Sequence, residues 1–261
     1  MNIFEESSSK PTWNKTYEEI SLDDSIEGEN IVKKNDLEEK RVVSSIDMEL
    51  VQGDDQFRIG SFDISKYVVV QSLYEEVMGK EANHSYFHDG DKTKLPVERV
   101  SFNDALEFCN KISPEGEKVY SCDPVTGEWS MDKTKTGYRL PTVEEWQYAA
   151  NGGTLKTPYP YSGSNNVQRV AWYQGDDPTS VHEVGLKEPN ELGLFDMSGN
   201  VWEWCWKDSN SSWDFCCGGA FNSPDYELRL FGSGSIRRVS SGSVSSNIGF
   251  RLVRTQVEDK Q

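Results

Sequence analysis

Gly193-Leu194-Phe195-Asp196-Met197-Ser198-Gly199-Asn200-Val201-Trp202-Glu203-Trp204, together with the ending Gly249-Phe250-Arg251-Leu252-Val253-Arg254, decides the fold. Trp202, Trp204 and Trp206 alternate, which puts three indoles on one side of an extended strand and calls for an aromatic core. Between the two stretches the order breaks down. Residues 210–247 mix Ser, Gly and Asn with Phe215, Phe221, Tyr226, Phe231 and the adjacent Cys216 and Cys217.

Outward from this region, the chain splits by composition. Residues 1–45 are polar and Ser/Glu/Lys-rich, the signature of a tether or surface-draped arm. From Ile46 the pattern becomes that of a folded domain, 46–261, with Met48 to Val51 and Phe57 to Gly60 alternating like short strands around Gly53-Asp54-Asp55. Helical spacing appears at Ser72 to Met78 and at Ser101 to Ile112, where Ser101 is placed to cap. A third helix is signalled by Thr142 with Glu145 three residues on, a capping box. After Asn151 no long helical pattern remains, so the class is α+β.

A net charge of −17 disfavours nucleic acid and anionic lipid as partners. No run approaches the roughly 18 apolar residues of a membrane span. Five cysteines, an odd number without CxxC spacing, suggest neither a disulfide framework nor a zinc site, and Cys216 and Cys217 point to opposite faces of any strand. His84, His88 and His182 are too scattered for a catalytic or metal cluster.

Val97 to Ala105, Tyr138 to Trp146, the run from Gly193 to Trp204, Gly218-Gly219 and Gly249 to Arg254 occur in the order found in the formylglycine-generating enzyme, or sulfatase-modifying-factor, family. The resemblance covers roughly residues 46–254. It implies a C-type-lectin-like fold of the formylglycine-generating-enzyme type, with little regular secondary structure. Oxidase members of the family are copper enzymes with two cysteines shortly after the glycine turn. Where those would fall, this chain reads Ser223 and about Leu228, and a hydroxyl and an isobutyl group cannot make a thiolate site. No catalytic residue is therefore assigned. Asp196, Gly199, Val201 and Glu203 match positions that bind calcium in the oxidase branch, and hard oxygen donors suit that ion.

A second branch of the fold comprises variable proteins of diversity-generating retroelements, whose C-terminal codons are randomised at template adenines; the chain resembles its treponemal members. Randomised AAY codons never encode Lys, Glu, Gln, Met or Trp. Those five types make up 42 of the 164 residues from Ile46 to Ser209, so the 38 residues from Asn210 to Asn247 would carry about ten at the same rate. They carry two, Trp213 and Glu227. A Ser/Gly-rich loop would also lack these types, but a solvated linker would avoid the aromatics and cysteines found here.

The segment is also neutral, Asp214, Asp225 and Glu227 offsetting Arg229, Arg237 and Arg238. Its aromatic and hydroxyl palette is that of a paratope. The residues expected to face a ligand are Asp214, Phe215, Phe221, Asn222, Ser223, Pro224, Asp225, Tyr226, Phe231, Ser233, Ser235, Ser240 and Ser243. The expected function is a non-enzymatic, surface-displayed binding protein with a variable region at about 210–247. It would act as a monomer on an unknown protein or cell-surface ligand, and needs no cofactor, calcium apart. The alternative is a metal-dependent oxidase of the formylglycine-generating type or an inactive paralogue. An ergothioneine-type sulfoxide synthase lacks its His-rich partner domain here, and a sugar-binding lectin lacks a clear calcium motif. The resemblance further implies a bacterial cell-surface location through a lipidated cysteine standing where Met1 begins, with Asn2 to Lys10 as spacer.

Overall fold

The turn chemistry read at Gly53-Asp54-Asp55 builds a longer connection than expected. The Asp54 carbonyl accepts from the amides of Phe57 and Ile59, its Oδ1 from Gln56, and Arg58 takes a left-handed φ of 55°. This consumes the stretch from Phe57 to Gly60 expected as a strand, and the second strand starts at Phe62. The structure, a computed structural model, describes residues 46–206, 213–231, 234–240 and 242–256. The arm expected over 1–45 and the anchor expected at its start lie outside the described residues, as does Ser233.

Strand β1 (Met48–Val51) pairs antiparallel with β2 (Phe62–Ser65), which pairs with β10 (Val253–Thr255), which in turn pairs with β5 (Tyr138–Arg139). A small ribbon joins β3 (Tyr120–Cys122) to β4 (Trp129–Met131). The second four-stranded sheet has the order β8 (Ile236–Ser240), β7 (Trp213–Cys217), β6 (Trp202–Cys205), β9 (Ile248–Gly249). Its β6–β9 pairing is parallel, Trp202 opposite Ile248 and Glu203 opposite Gly249.

Except for the first, the described α-helices start where side-chain capping places them. In α1 (Gln71–Met78) the chain begins one residue before the expected start. In α2 (Phe102–Ile112) the Ser101 hydroxyl accepts from the Asp104 amide while Asp104 reaches back to the Ser101 amide. Thr142 and Glu145 do the same for α3 (Val143–Ala150). Satisfying the otherwise orphaned first-turn amides in this way fixes both starts. A single turn, α4 (Val167–Val170), follows.

Trp202, Trp204 and Trp206 share one hydrophobic cluster with Phe108, Leu140, Phe250 and Leu252. Cys205, Phe215 and Cys217 join a second cluster on the other face of the sheet, with Trp146 and Met197. Cys216 belongs to the first cluster and Cys217 to the second, as strand alternation requires. All five cysteines are thiols, and burial raises those of Cys109, Cys205 and Cys216 far above their ordinary range.

Arg251 and Glu203, both fully buried, tie the two sheets together. The guanidinium donates from Nε to Glu203 Oε2 at 2.6 Å and from one terminal nitrogen to Oε1 at 2.7 Å. Further donors reach the carbonyls of Ser65 (3.0 Å) and Phe195 (2.9 Å), while Trp146 Nε1 donates to Glu203 Oε2 at 2.6 Å. Charge and donors are thus matched inside the core, and removing one partner strands the other. Arg139 donates to the Leu140 carbonyl but directs its fork chiefly at Glu145 (2.6 and 2.7 Å).

Replacing Arg251 by Met should cost about 3–5 kcal/mol, because Glu203 would stay buried without its counter-ion. Urea unfolding checks this, and a loss under about 1 kcal/mol, the size of a surface pair, would contradict the assignment.

Candidate ligand-binding face

One short run of the frame, Ser198-Gly199-Asn200, holds the segment's backbone at three places. Ser198 Oγ donates to the Leu228 carbonyl at 3.2 Å, the Gly199 amide to the Gly218 carbonyl at 2.9 Å, and the Asn200 carbonyl accepts from the Phe221 amide at 2.8 Å. A side chain at Gly199 would sit 2.2 Å from the Trp172 carbonyl, and its φ of 88° belongs to glycine. Gly218 and Gly219 also have positive φ; a Cβ on the first would meet the Trp146 ring at 3.0 Å, and on the second Leu228 at 2.8 Å. Further ties come from elsewhere: β7 pairs with β6, the Ser223 carbonyl accepts from the Gln174 amide, the Leu230 amide donates to the Pro160 carbonyl, and the amides of Arg99 and Trp202 donate to the carbonyls of Ser245 and Asn247.

Side chains of the segment then divide. Tyr226 is 59% exposed and Phe231 61%, and Asn222 and Ser240 are exposed as well. Asp214, Pro224, Asp225 and Ser243 are half-buried. Asp225 Oδ2 accepts from the Tyr161 hydroxyl (3.3 Å) and from Arg229 (3.4 Å).

Phe215, Phe221, Ser223 and Ser235 are buried, which corrects the expectation that they face a ligand. Phe215 lies on the inward face of β7, Phe221 packs edge-on against Phe87 at 5.5 Å, and Ser223 and Ser235 sit where the backbone turns under the surface. Exposed aromatics outside the expected set include Trp213 and Tyr86. Trp213 is 48% exposed on β7; the codon rule had set tryptophan aside. Tyr86, 64% exposed, belongs to a loop far upstream that no local pattern connects to the segment.

The expected calcium set does not assemble. Both oxygens of Glu203 are occupied by Arg251, which places a fixed cation at the position, and among the described residues no three His, Cys, Asp or Glu side chains converge. Asp196 accepts from the Gly185 amide at 2.8 Å through one oxygen and leaves the other without a partner. Gly199 and Val201 would contribute only their backbone carbonyls, too few donors for the ion once Glu203 is taken by Arg251. Ser223 and Leu228, which the family resemblance sets at or near the oxidase cysteines, are both buried and offer no soft donor. His182 stacks on Trp172 at 3.8 Å and contacts Asp177 at 3.2 Å.

The sulfatase-modifying factor enzyme 1-like domain matches residues 26–256, and the chain belongs to that family. Among its relatives, the chaperone protein LppX of Paenibacillus barcinonensis is 32% identical over 241 residues, covering 78% of this chain and 83% of that protein. The inactive C-alpha-formylglycine-generating enzyme 2 of Bos taurus is 33% identical over 124 residues, 44% of this chain and 33% of that protein. Variable protein 1 of Treponema denticola superposes with a TM-score of 0.67 at 27% identity, covering 81% of this chain and 92% of that one. The fold is therefore of the sulfatase-modifying-factor type. No described helix is long and apolar enough to cross a membrane.

Two buried carboxyls give the domain a pH signature. Burial raises Glu98 from its usual 4.5 to about 7, against the opposing pull of the Phe87 and Tyr86 amides, and raises Asp196 from 3.8 to about 6 despite the Gly185 amide and Arg251. Each group holds its proton more tightly folded than unfolded, so its contribution is fully present below the unfolded value and lost as pH rises through the folded one. Urea midpoints measured from pH 4.5 to pH 7 should fall more steeply for the parent than for Glu98→Gln; identical slopes would remove Glu98 from the explanation.

Proposed function

We propose that this protein is a non-enzymatic binding protein whose segment from Asn210 to Asn247 is diversified by a retroelement to alter its partner. The observation that carries this is a division of labour within one segment. Its backbone is tied down by Ser198, Gly199 and Asn200, while Asn222, Tyr226, Phe231 and Ser240 project outward. Such an arrangement lets side chains change without changing the fold. The scarcity of codon-forbidden residue types and the likeness to a treponemal variable protein support the same reading.

Recognition of another protein also fits the Paenibacillus relative, named a chaperone. A chaperone with one fixed client is the second reading, favoured by that relative's 32% identity over 241 residues. Cell-surface display through a lipid anchor belongs to the first reading. An oxidase role is disfavoured by Ser223 and Leu228.

Sequencing the 3′ end of the gene across a population of source cells, with any adjacent near-repeat, separates these readings. Differences confined to codons that are AAY in the repeat are the expected result. An invariant 3′ end without a repeat would sink diversification and leave the fixed-client chaperone. Copper-loaded protein incubated with a cysteinyl peptide should yield no formylglycine by mass spectrometry; turnover would restore the oxidase.

A further inference from the structure

Glu98 and Gln71, both fully buried, hold a loop that lies outside the diversified segment. Glu98 Oε1 accepts from the amides of Tyr86 (2.5 Å) and Phe87 (3.0 Å), and Gln71 Nε2 donates to the Phe87 carbonyl at 2.8 Å. The Ser85 hydroxyl exchanges bonds of 3.3 Å with the backbone of Glu98. Buried groups therefore hold the backbone of Phe87 from both sides. Two ring contacts lead from this loop into the segment: Tyr86 against Phe87 at 5.0 Å and 89°, and Phe87 against Phe221 at 5.5 Å and 89°. Asn222, the next residue, is exposed and joined to Asn247 at 2.9 Å.

An isolated exposed tyrosine needs no explanation. This one differs in standing on a doubly clamped loop whose next residue, Phe87, packs against Phe221 of the segment. From that geometry we propose that Tyr86 is a fixed contact of the binding face, an aromatic anchor that protein partners touch whichever side chains the diversified segment presents. The inference rests on the binding-face reading above. Its physical basis is entropy: a tyrosine has few torsions to freeze, and a clamped loop has already lost its backbone freedom, so contact area there comes at little ordering cost. Phe221, although inside the segment, is then bound to stay aromatic, because it supports Phe87.

The test is a display library of the full chain randomised at Asn222, Tyr226, Phe231, Ser240 and Ser243, selected against hen lysozyme as a defined protein probe. Dissociation of the selected binders is then measured with Tyr86, Tyr86→Ala, Tyr86→Phe and Glu98→Ala. Most binders should weaken about tenfold or more with Tyr86→Ala, the weight of an interface hot spot, and change less than about threefold with Tyr86→Phe. Glu98→Ala, which leaves the ring but removes the acceptor of the Tyr86 and Phe87 amides, should shift dissociation in the same direction, with melting temperature tracked for each variant. Binders indifferent to Tyr86→Ala would overturn the anchor while leaving the binding face intact. Failure to recover any binder would overturn the binding-face reading and the anchor with it.

Discussion

The buried ion pair of Arg251 and Glu203 is the constraint on which the rest depends. Burying two charges is costly, and the cost is offset only where every donor and acceptor is engaged. Here the guanidinium spans β9's exit, the end of β2 and the turn at Phe195, while the carboxylate collects Trp146 from α3 as well. Four parts of the chain distant in sequence thus share one electrostatic knot. Apolar packing alone is non-directional and would tolerate sliding between the two sheets. Bidentate geometry does not, which gives the loops above the sheet a single, reproducible platform.

Much of this was legible in the sequence where the determinants are local. Capping boxes at Ser101 and Thr142 depend on residues three apart, so both helix starts could be read directly. Tryptophan alternation gave the correct face of β6 for the same reason. The connection at Gly53 to Gly60 was misread because an Asp54 turn and a left-handed Arg58 look, by composition, like the end of one strand and the start of another. Within the segment, hydrophobic type could not separate Phe231, exposed, from Phe221, buried. That distinction is made by Phe87, whose position depends on Glu98, and no spacing rule links residues 87, 98 and 221. Glu203 shows the same limit: as a carboxylate in a matching motif it suited calcium, and only the fold reveals that Arg251 reaches it.

The segment is best understood through what the frame denies it. Gly199, Gly218 and Gly219 occupy backbone conformations and spaces that exclude a side chain, and Leu228 fills the gap beneath. Freedom is left at the rim, where exposed positions add to contact area without entering the core. Surface substitutions away from special backbone or packing features usually change stability by no more than about 0.5 kcal/mol, so many sequences are compatible with one fold. The contrast with the acidic remainder of the chain also matters: a locally neutral surface avoids the repulsion that a uniformly acidic one would impose on acidic partners.

The strand order of the first sheet carries a consequence for synthesis. β10, at the end of the described chain, lies between β2 and β5, and Arg251 precedes it by two residues. Neither the interior of that sheet nor the central ion pair can form until the ribosome has passed the whole segment from Asn210 to Asn247. A reading frame broken within the segment therefore yields a chain without its middle strand or its buried cation. Such a product leaves β2 and β5 without the strand between them and Glu203 without its buried counter-ion, so completion of the fold depends on the integrity of the message that encoded it.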